Sequence, residues 1–213
     1  MPRIEESAQD AYVDFATLKE INPDIFAWLY IPGTDIDCPI LQNSESDTFY
    51  ETHNFYAEED MAGSAYIEIA NLTNMCDFNT VIHGNSTVSE EGLFGDLYQF
   101  LDLDFFETHE PIYLYLEDNV LTYEIFAVYE RENTSLLRSY DFTAPASCQT
   151  FLDTIYDTRD MNMKLREGWS FVNPYHFLIT LTTQKEKDAD TQLVVVAVLI
   201  KDIAGNINRI IYE

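Results

Sequence analysis

Three cysteines and four histidines are the side chains of this chain best suited to act as nucleophile, general base or soft metal ligand near neutral pH. Their spacing narrows the chemistry. Cys38, Cys76 and Cys148 lie too far apart for the close pairs of a zinc site or a disulfide framework, and an odd count leaves at least one thiol free. Cys38 sits in the run Ile36-Asp37-Cys38-Pro39, where a small core residue is expected, and Cys76 reads as a loop thiol. His53, His83, His109 and His176 are equally scattered, and none forms the i, i+4 pair of a zinc helix. Asp188 and Asp190, in the loop from Lys185 to Thr191, offer calcium a weak site at best, and a solvated loop explains them more simply. Neither a metal nor a cofactor is expected.

Charge excludes further classes of partner. Against 38 acidic residues stand 11 basic ones, a formal net charge of -27. Such a field repels phosphate backbones and anionic lipid, so neither nucleic-acid binding nor docking on membranes through basic patches is expected. It attracts cationic partners such as Lys/Arg-rich peptide tails, although solubility at a crowded cell surface accounts for it more simply. No run of about 18 apolar residues is present to span a bilayer. The start, Met1-Pro2-Arg3-Ile4-Glu5-Glu6, lacks the basic and then apolar stretches of a secretion signal, which is either absent or already removed.

The elements that must position these groups are mostly strands. A chain of 213 residues, 46% of them hydrophobic, can bury one substantial core, and no Pro/Gly/Ser-rich linker divides it. Residues 1–21 are expected to form a helix packed on a single domain at 22–213. From Ser7 to Glu20 the stripe Ala8, Ala11, Tyr12, Phe15, Leu18 and Ile21 predicts that helix, with Ser7 as its cap. Strands are predicted at 26–31, 36–41, 64–69, 80–83, 112–116, 120–130, 177–182, 193–200 and 207–212, with Pro32-Gly33 and Gly205-Asn206 as turns. Leu93, Leu97, Phe100 and Leu101 predict a short covering helix, and Ala146 to Asp160, with Phe151, Leu152, Ile155 and Tyr156, an amphipathic one. A closed antiparallel barrel is the simplest way to bury so many strands without exposed edges.

Four stretches resemble class B sortases, the cell-wall transpeptidases of Gram-positive bacteria. The run from Trp28 to Gln42, WLYIPGTDIDCPILQ, is similar to the family's W-I-x-I-x-G-T-x-I-D-Y-P-V-x-Q. Tyr50-Glu51-Thr52-His53-Asn54-Phe55 and Ala62-Gly63-Ser64-Ala65-Tyr66-Ile67 follow the family's Y-L-x-H-x-F and G-S-I-F segments. Then come Asn79 to Asn85, backed by Leu93 to Leu97 and Phe105 to His109, and finally Thr180 to Gln184 with Gln192 to Val195. The resemblance runs over most of 22–200. It implies a mainly β fold: a sortase-type closed barrel of about eight strands with an N-terminal helix and an inserted helix before the last strands. It also implies an extracellular, cell-surface domain, tethered in the full-length protein by an N-terminal hydrophobic segment, expected to act as a monomer.

The same resemblance removes the expected chemistry. Sortases attack a sorting motif with a cysteine thiolate, move protons with a histidine and steady the oxyanion with an arginine. The histidine position, after Gly84, holds Asn85; the cysteine position, after Thr180-Leu181-Thr182-Thr183, holds Gln184; the arginine position, before Leu193-Val194-Val195, holds Gln192. A neutral amide is neither nucleophile nor general acid, but it can hydrogen-bond a peptide backbone. The catalytic set is therefore not intact, and Asn85, Thr182, Thr183, Gln184, Gln192 and His83 are the expected peptide-binding residues. The expected partner is a sorting-signal peptide or a surface or pilus protein. The alternative is an active transpeptidase or hydrolase using displaced residues: His83 as base, and Thr182, Thr183, Cys76 or Cys38 as nucleophile. Against that alternative, His83 occupies the family's tyrosine position beside the cleft, and the threonines have an ordinary role as strand-end residues. The connection from Ser139 to Trp169, with its helix, is expected to shape specificity.

Overall fold

Side-chain alternation closes the barrel. The structure, a computed structural model, describes residues 13–86, 93–158, 162–185 and 189–207. Its strands are β1 (Ile25–Tyr30), β2 (Asp37–Leu41), β3 (Ala65–Ile67), β4 (Asn79–His83), β5 (Pro111–Tyr115), β6 (Val120–Glu132), β7 (Lys164–Leu165), β8 (Leu178–Thr183) and β9 (Thr191–Asp202). Neighbours run β5-β1-β2-β3-β4-β8-β9-β6, and β6 pairs back to β5, which closes eight strands into a barrel with β7 appended to β6. The fold is thus mainly β, with a closed eight-stranded barrel and a few helices. It is not wholly antiparallel, as the strand pattern had suggested: β2 pairs with β3, and β4 with β8, in parallel. A parallel pair needs a long crossover, and the segments 42–64 and 84–177 supply one for each.

Two cores share the barrel wall. Inside lie Leu29, Ile40, Ile67, Ile82, Ile179, Leu181, Leu193 and Val195, all essentially inaccessible. The outward faces of β8 and β9, through Leu178, Val194, Val196 and Val198, pack with Phe78 and Val81 under α4 (Pro145–Asp157). Residues 193–198 are therefore buried on both faces, which is why they read as one continuous apolar run. Helix α4 starts with Pro145 in its first turn and turns Cys148, Phe151, Leu152 and Ile155 inward, one stripe at helical spacing.

The remaining helices are shorter than the sequence pattern predicts. The first, α1 (Phe15–Ile21), is capped by Asp14, whose carboxylate accepts from Thr17 N at 3.1 Å and Thr17 Oγ1 at 2.7 Å. The helical reading of Val13 and Asp14 is corrected by this cap, and the predicted Ser7 cap lies outside the described residues. Helix α1 sets Leu18 against Ile25, Leu41, Tyr50 and Tyr66. The predicted covering helix is a 3₁₀ turn, Gly95–Leu101, followed by α2 (Leu103–Thr108), with Asp102 capping Phe105 N at 3.0 Å. A four-residue helix, α3 (Leu136–Ser139), follows β6 without a periodic signal in the sequence. The predicted strand at 207–212 lies outside the described residues except for Ile207, which is not in a strand.

Candidate functional site

Parallel pairing of β4 and β8 makes both strands end at the same rim. Ile82 and Leu181 point into the barrel, so their successors His83 and Thr182, paired directly across the two strands, face outward. Tyr66 pairs with His83 from the other side. A row Tyr66, His83, Thr182 thus crosses three strands, and the chain beyond it, at Asn85 and Gln184, lies over one cleft of about 650 Å³. All six residues expected to meet a peptide, His83, Asn85, Thr182, Thr183, Gln184 and Gln192, line this cleft.

The three amides at the positions that the resemblance assigns to catalysis, Asn85, Gln184 and Gln192, are already engaged with the protein. Asn85 Nδ2 donates to Glu51 O at 2.9 Å and to Met61 O at 3.4 Å. Gln192, 6% exposed, donates through Nε2 to Thr134 O at 2.8 Å and to Glu132 O at 3.3 Å. Gln184 Nε2 donates to Asn133 Oδ1 at 3.1 Å, and Ser86 Oγ donates to Gln184 O. Each amide ties a bordering loop to the barrel rim. Gly63, at φ +65°, makes room for the first: a Cβ there would lie 3.1 Å from Asn85 Nδ2 and 2.6 Å from Tyr50 O. Gly84 lets the Phe94 ring close behind it, since a Cβ would meet that ring at 2.6 Å.

His83 is held on three sides. Its Nδ1 is 2.8 Å from Thr182 Oγ1, its Nε2 is 3.3 Å from Glu68 Oε1, and its ring stacks on Tyr66 with centroids 5.1 Å apart. The contact with Glu68 lies off hydrogen-bond geometry, leaving Nε2 buried without a hydrogen-bond partner. His83 holds the Glu68 carboxyl below the usual carboxylate range, helped by Ser135 and Arg138 and opposed by burial. Burial, then Glu51, pushes the Tyr66 phenol far up, so it stays a neutral donor, and its hydroxyl donates to Glu51 Oε1 at 3.1 Å.

None of the three cysteines lines the cleft. Cys38 is in the barrel core, its thiol pushed up to about 12 by burial and then by Asp37, so it is no thiolate. Cys148 is buried on the inward face of α4, and Cys76 lines a separate cavity of about 310 Å³ near Lys19 and Asn119. These placements remove Cys38 and Cys76 as nucleophiles for this cleft. His53 and His109 sit on the rings of Phe49 and Phe105 with their Nδ1 atoms on the same residues' carbonyls, 2.8 and 3.0 Å away. His176 is at Asn173, away from the cleft.

Sequence reasoning missed Asp47, Glu51, Glu68, Asn133, Ser135 and Arg138, which also line the cleft. Glu68 was within reach, because alternation through 64–69 puts it on the same face as Tyr66. The group from Asn133 to Arg138 carries no period or motif.

No protein-family model matches the chain. Sortase B of Listeria monocytogenes is 34% identical over 140 residues, 65% of this chain and 55% of that protein, so the chain spans about half of that relative's length. Sortase B of Clostridium perfringens superposes with a TM-score of 0.76 at 28% identity, covering 88% of this chain and 100% of that one. The Staphylococcus aureus sortase B-substrate complex superposes at 0.75 and 25% identity, covering 88% of this chain and 84% of that one.

Proposed function

Because the chain belongs to the class B sortase family, whose chemistry is cysteine transpeptidation, we propose that it is a pseudosortase: a domain whose cleft binds a sorting-signal peptide, or a surface or pilus protein, without cleaving it. One observation carries this reading. No cysteine lines the cleft shared by Gln184, Asn85 and Gln192, the positions to which the resemblance assigns thiolate, base and guanidinium. Without a thiolate no thioacyl intermediate can form, and without a charge no developing oxyanion is steadied. That a relative superposing over 88% of this chain, Staphylococcus aureus sortase B, has been solved as a substrate complex supports a substrate-binding role for the shared fold. We place the protein at the outer surface of the cell, as the family implies. Among the described residues no helix is long and apolar enough to cross a membrane.

The test is a titration with fluorogenic sorting-motif peptides and an amine acceptor, following cleavage and binding together. Binding without turnover is expected; turnover that survives removal of contaminating proteases would sink the proposal.

A second reading rests on the contact of Thr182 Oγ1 with His83 Nδ1 at 2.8 Å, with Glu68 behind the ring at 3.3 Å. A hydroxyl, a base and an orienting carboxylate form the arrangement a hydroxyl nucleophile needs. Thr182 is only 4% exposed, which opposes attack on a bound carbonyl. This reading requires turnover that disappears in both Thr182→Val and His83→Ala.

A further inference from the structure

One wall of the cleft is fastened to the N-terminal helix. Asp47, Thr48, Glu51, Thr52 and Met61 all belong to the crossover between β2 and β3. That crossover is a closed loop: Asp60 N donates to Thr52 O and Ser64 N to Tyr50 O, both at 2.9 Å, so its two arms move together. On the cleft side it holds Asn85 through Glu51 O and Met61 O, and Tyr66 through the Glu51 carboxylate. On the far side it is bonded to the end of α1. Asn22, which caps that end and is 5% exposed, donates from Nδ2 to Tyr50 Oη at 2.9 Å and to Phe55 O at 3.0 Å. Tyr50 Oη donates in turn to Asp24 Oδ2 at 2.7 Å, and Leu18 of α1 packs on the cluster that contains the Tyr50 and Tyr66 rings. A helix of seven residues is too short to persist by propensity, so caps and packing alone keep α1 in place.

We infer that α1 is a latch on the cleft: docked, its Asn22 and Leu18 hold the crossover against the rim, and undocked, it frees the wall that carries Glu51 and Met61, so that Asn85 loses both of its acceptors. The two-state element is the crossover, and the helix end and the cleft both bias it. A force on the chain ahead of Phe15 is thereby felt at Asn85, on the opposite side of the loop. The latch is independent of what the cleft binds.

Backbone amide exchange, read residue by residue on the isotope-labelled chain, tests this in two variants. Asp14→Ala removes the N-terminal cap of α1 and touches no crossover residue. Tyr50→Phe leaves the helix its N-terminal cap and cuts the hydroxyl's bonds to Asn22 and Asp24. In both, exchange at the bonded amides of Asp60, Gly63 and Ser64 is expected to quicken about five- to tenfold, while Ile179 and Val195 in the barrel keep their rates. In the double variant the acceleration at those three amides should fall short of the product of the two, because both substitutions open the same latch. If acceleration in Asp14→Ala stops at Asn22, or Tyr50→Phe leaves the three amides unchanged, helix and cleft wall open separately and the latch is wrong. A rise shared equally by Val195 would mean that the whole barrel is loosened, which overturns it as well.

Discussion

At the scale of single residues, the amides at 85, 184 and 192 anchor the loops that border the cleft. Gln192→Ala removes two bonds to loop carbonyls, but Thr134 O keeps Arg131 Nη1 at 2.6 Å. Its cost in chemical denaturation should be about 1 to 2 kcal/mol, the low end for a lost buried partner. Restoring Asn85→His, Gln184→Cys and Gln192→Arg together should bring measurable peptide turnover, whereas Gln184→Cys alone should give a thiol that alkylates but does not turn over. Glu68 sets a pH dependence. Its folded carboxyl is held below the usual carboxylate range by His83, so at neutral pH it contributes stability that is lost as pH falls through the folded pKa. In urea titrations from pH 7 to 3, the stability gap between the native chain and Glu68→Gln should therefore narrow as pH falls below about 4.5. These positions were legible as cleft residues because 85 and 184 follow recognisable strand-end runs and 192 opens one. Asp47, Glu51 and the loop from Asn133 were not, because their place depends on how strands pair and not on local pattern.

At the scale of elements, position along the sheet decides what a substitution does. Phe151 is 1% exposed in the stripe of α4 that covers Val194 and Val196. Phe151→Ala should cost about 3 to 5 kcal/mol, read from the denaturation midpoint. Gly84→Ala introduces a Cβ 2.6 Å from the Phe94 ring. It should cost about 1 to 3 kcal/mol and, by moving the end of β4, weaken peptide binding more than Phe151→Ala does at equal stability. The strands were legible from alternation and β-branched runs, to within about two residues for β1, β5 and β8. What escaped was of two kinds. The two-residue β7 and the helix α3 are too short to show a period, and the 3₁₀ turn at Gly95–Leu101 shares its i, i+3 spacing with an α-helix. The parallel pairs escaped because partner choice between strands is long-range and leaves no mark on either strand's own alternation.

At the scale of the whole molecule, the excess of carboxylates works against compaction. Self-repulsion at a net charge of -27 should be relieved by salt, so the thermal midpoint should rise between about 10 and 200 mM sodium chloride. Barrel closure has a further consequence, in time. His83 and Thr182, 99 positions apart in the chain, touch, and β4 has no partner on that side until β8 has been made. Contacts this distant in sequence form slowly, because the chain loses loop entropy before the contacts return any free energy. As the chain leaves the ribosome, β1, β2, β5 and β6 can pair early, while β4 waits as an apolar edge. The groove comes into existence only in the last act of folding, so a chain truncated before Leu178 should be aggregation-prone and blind to any ligand, however complete its first half.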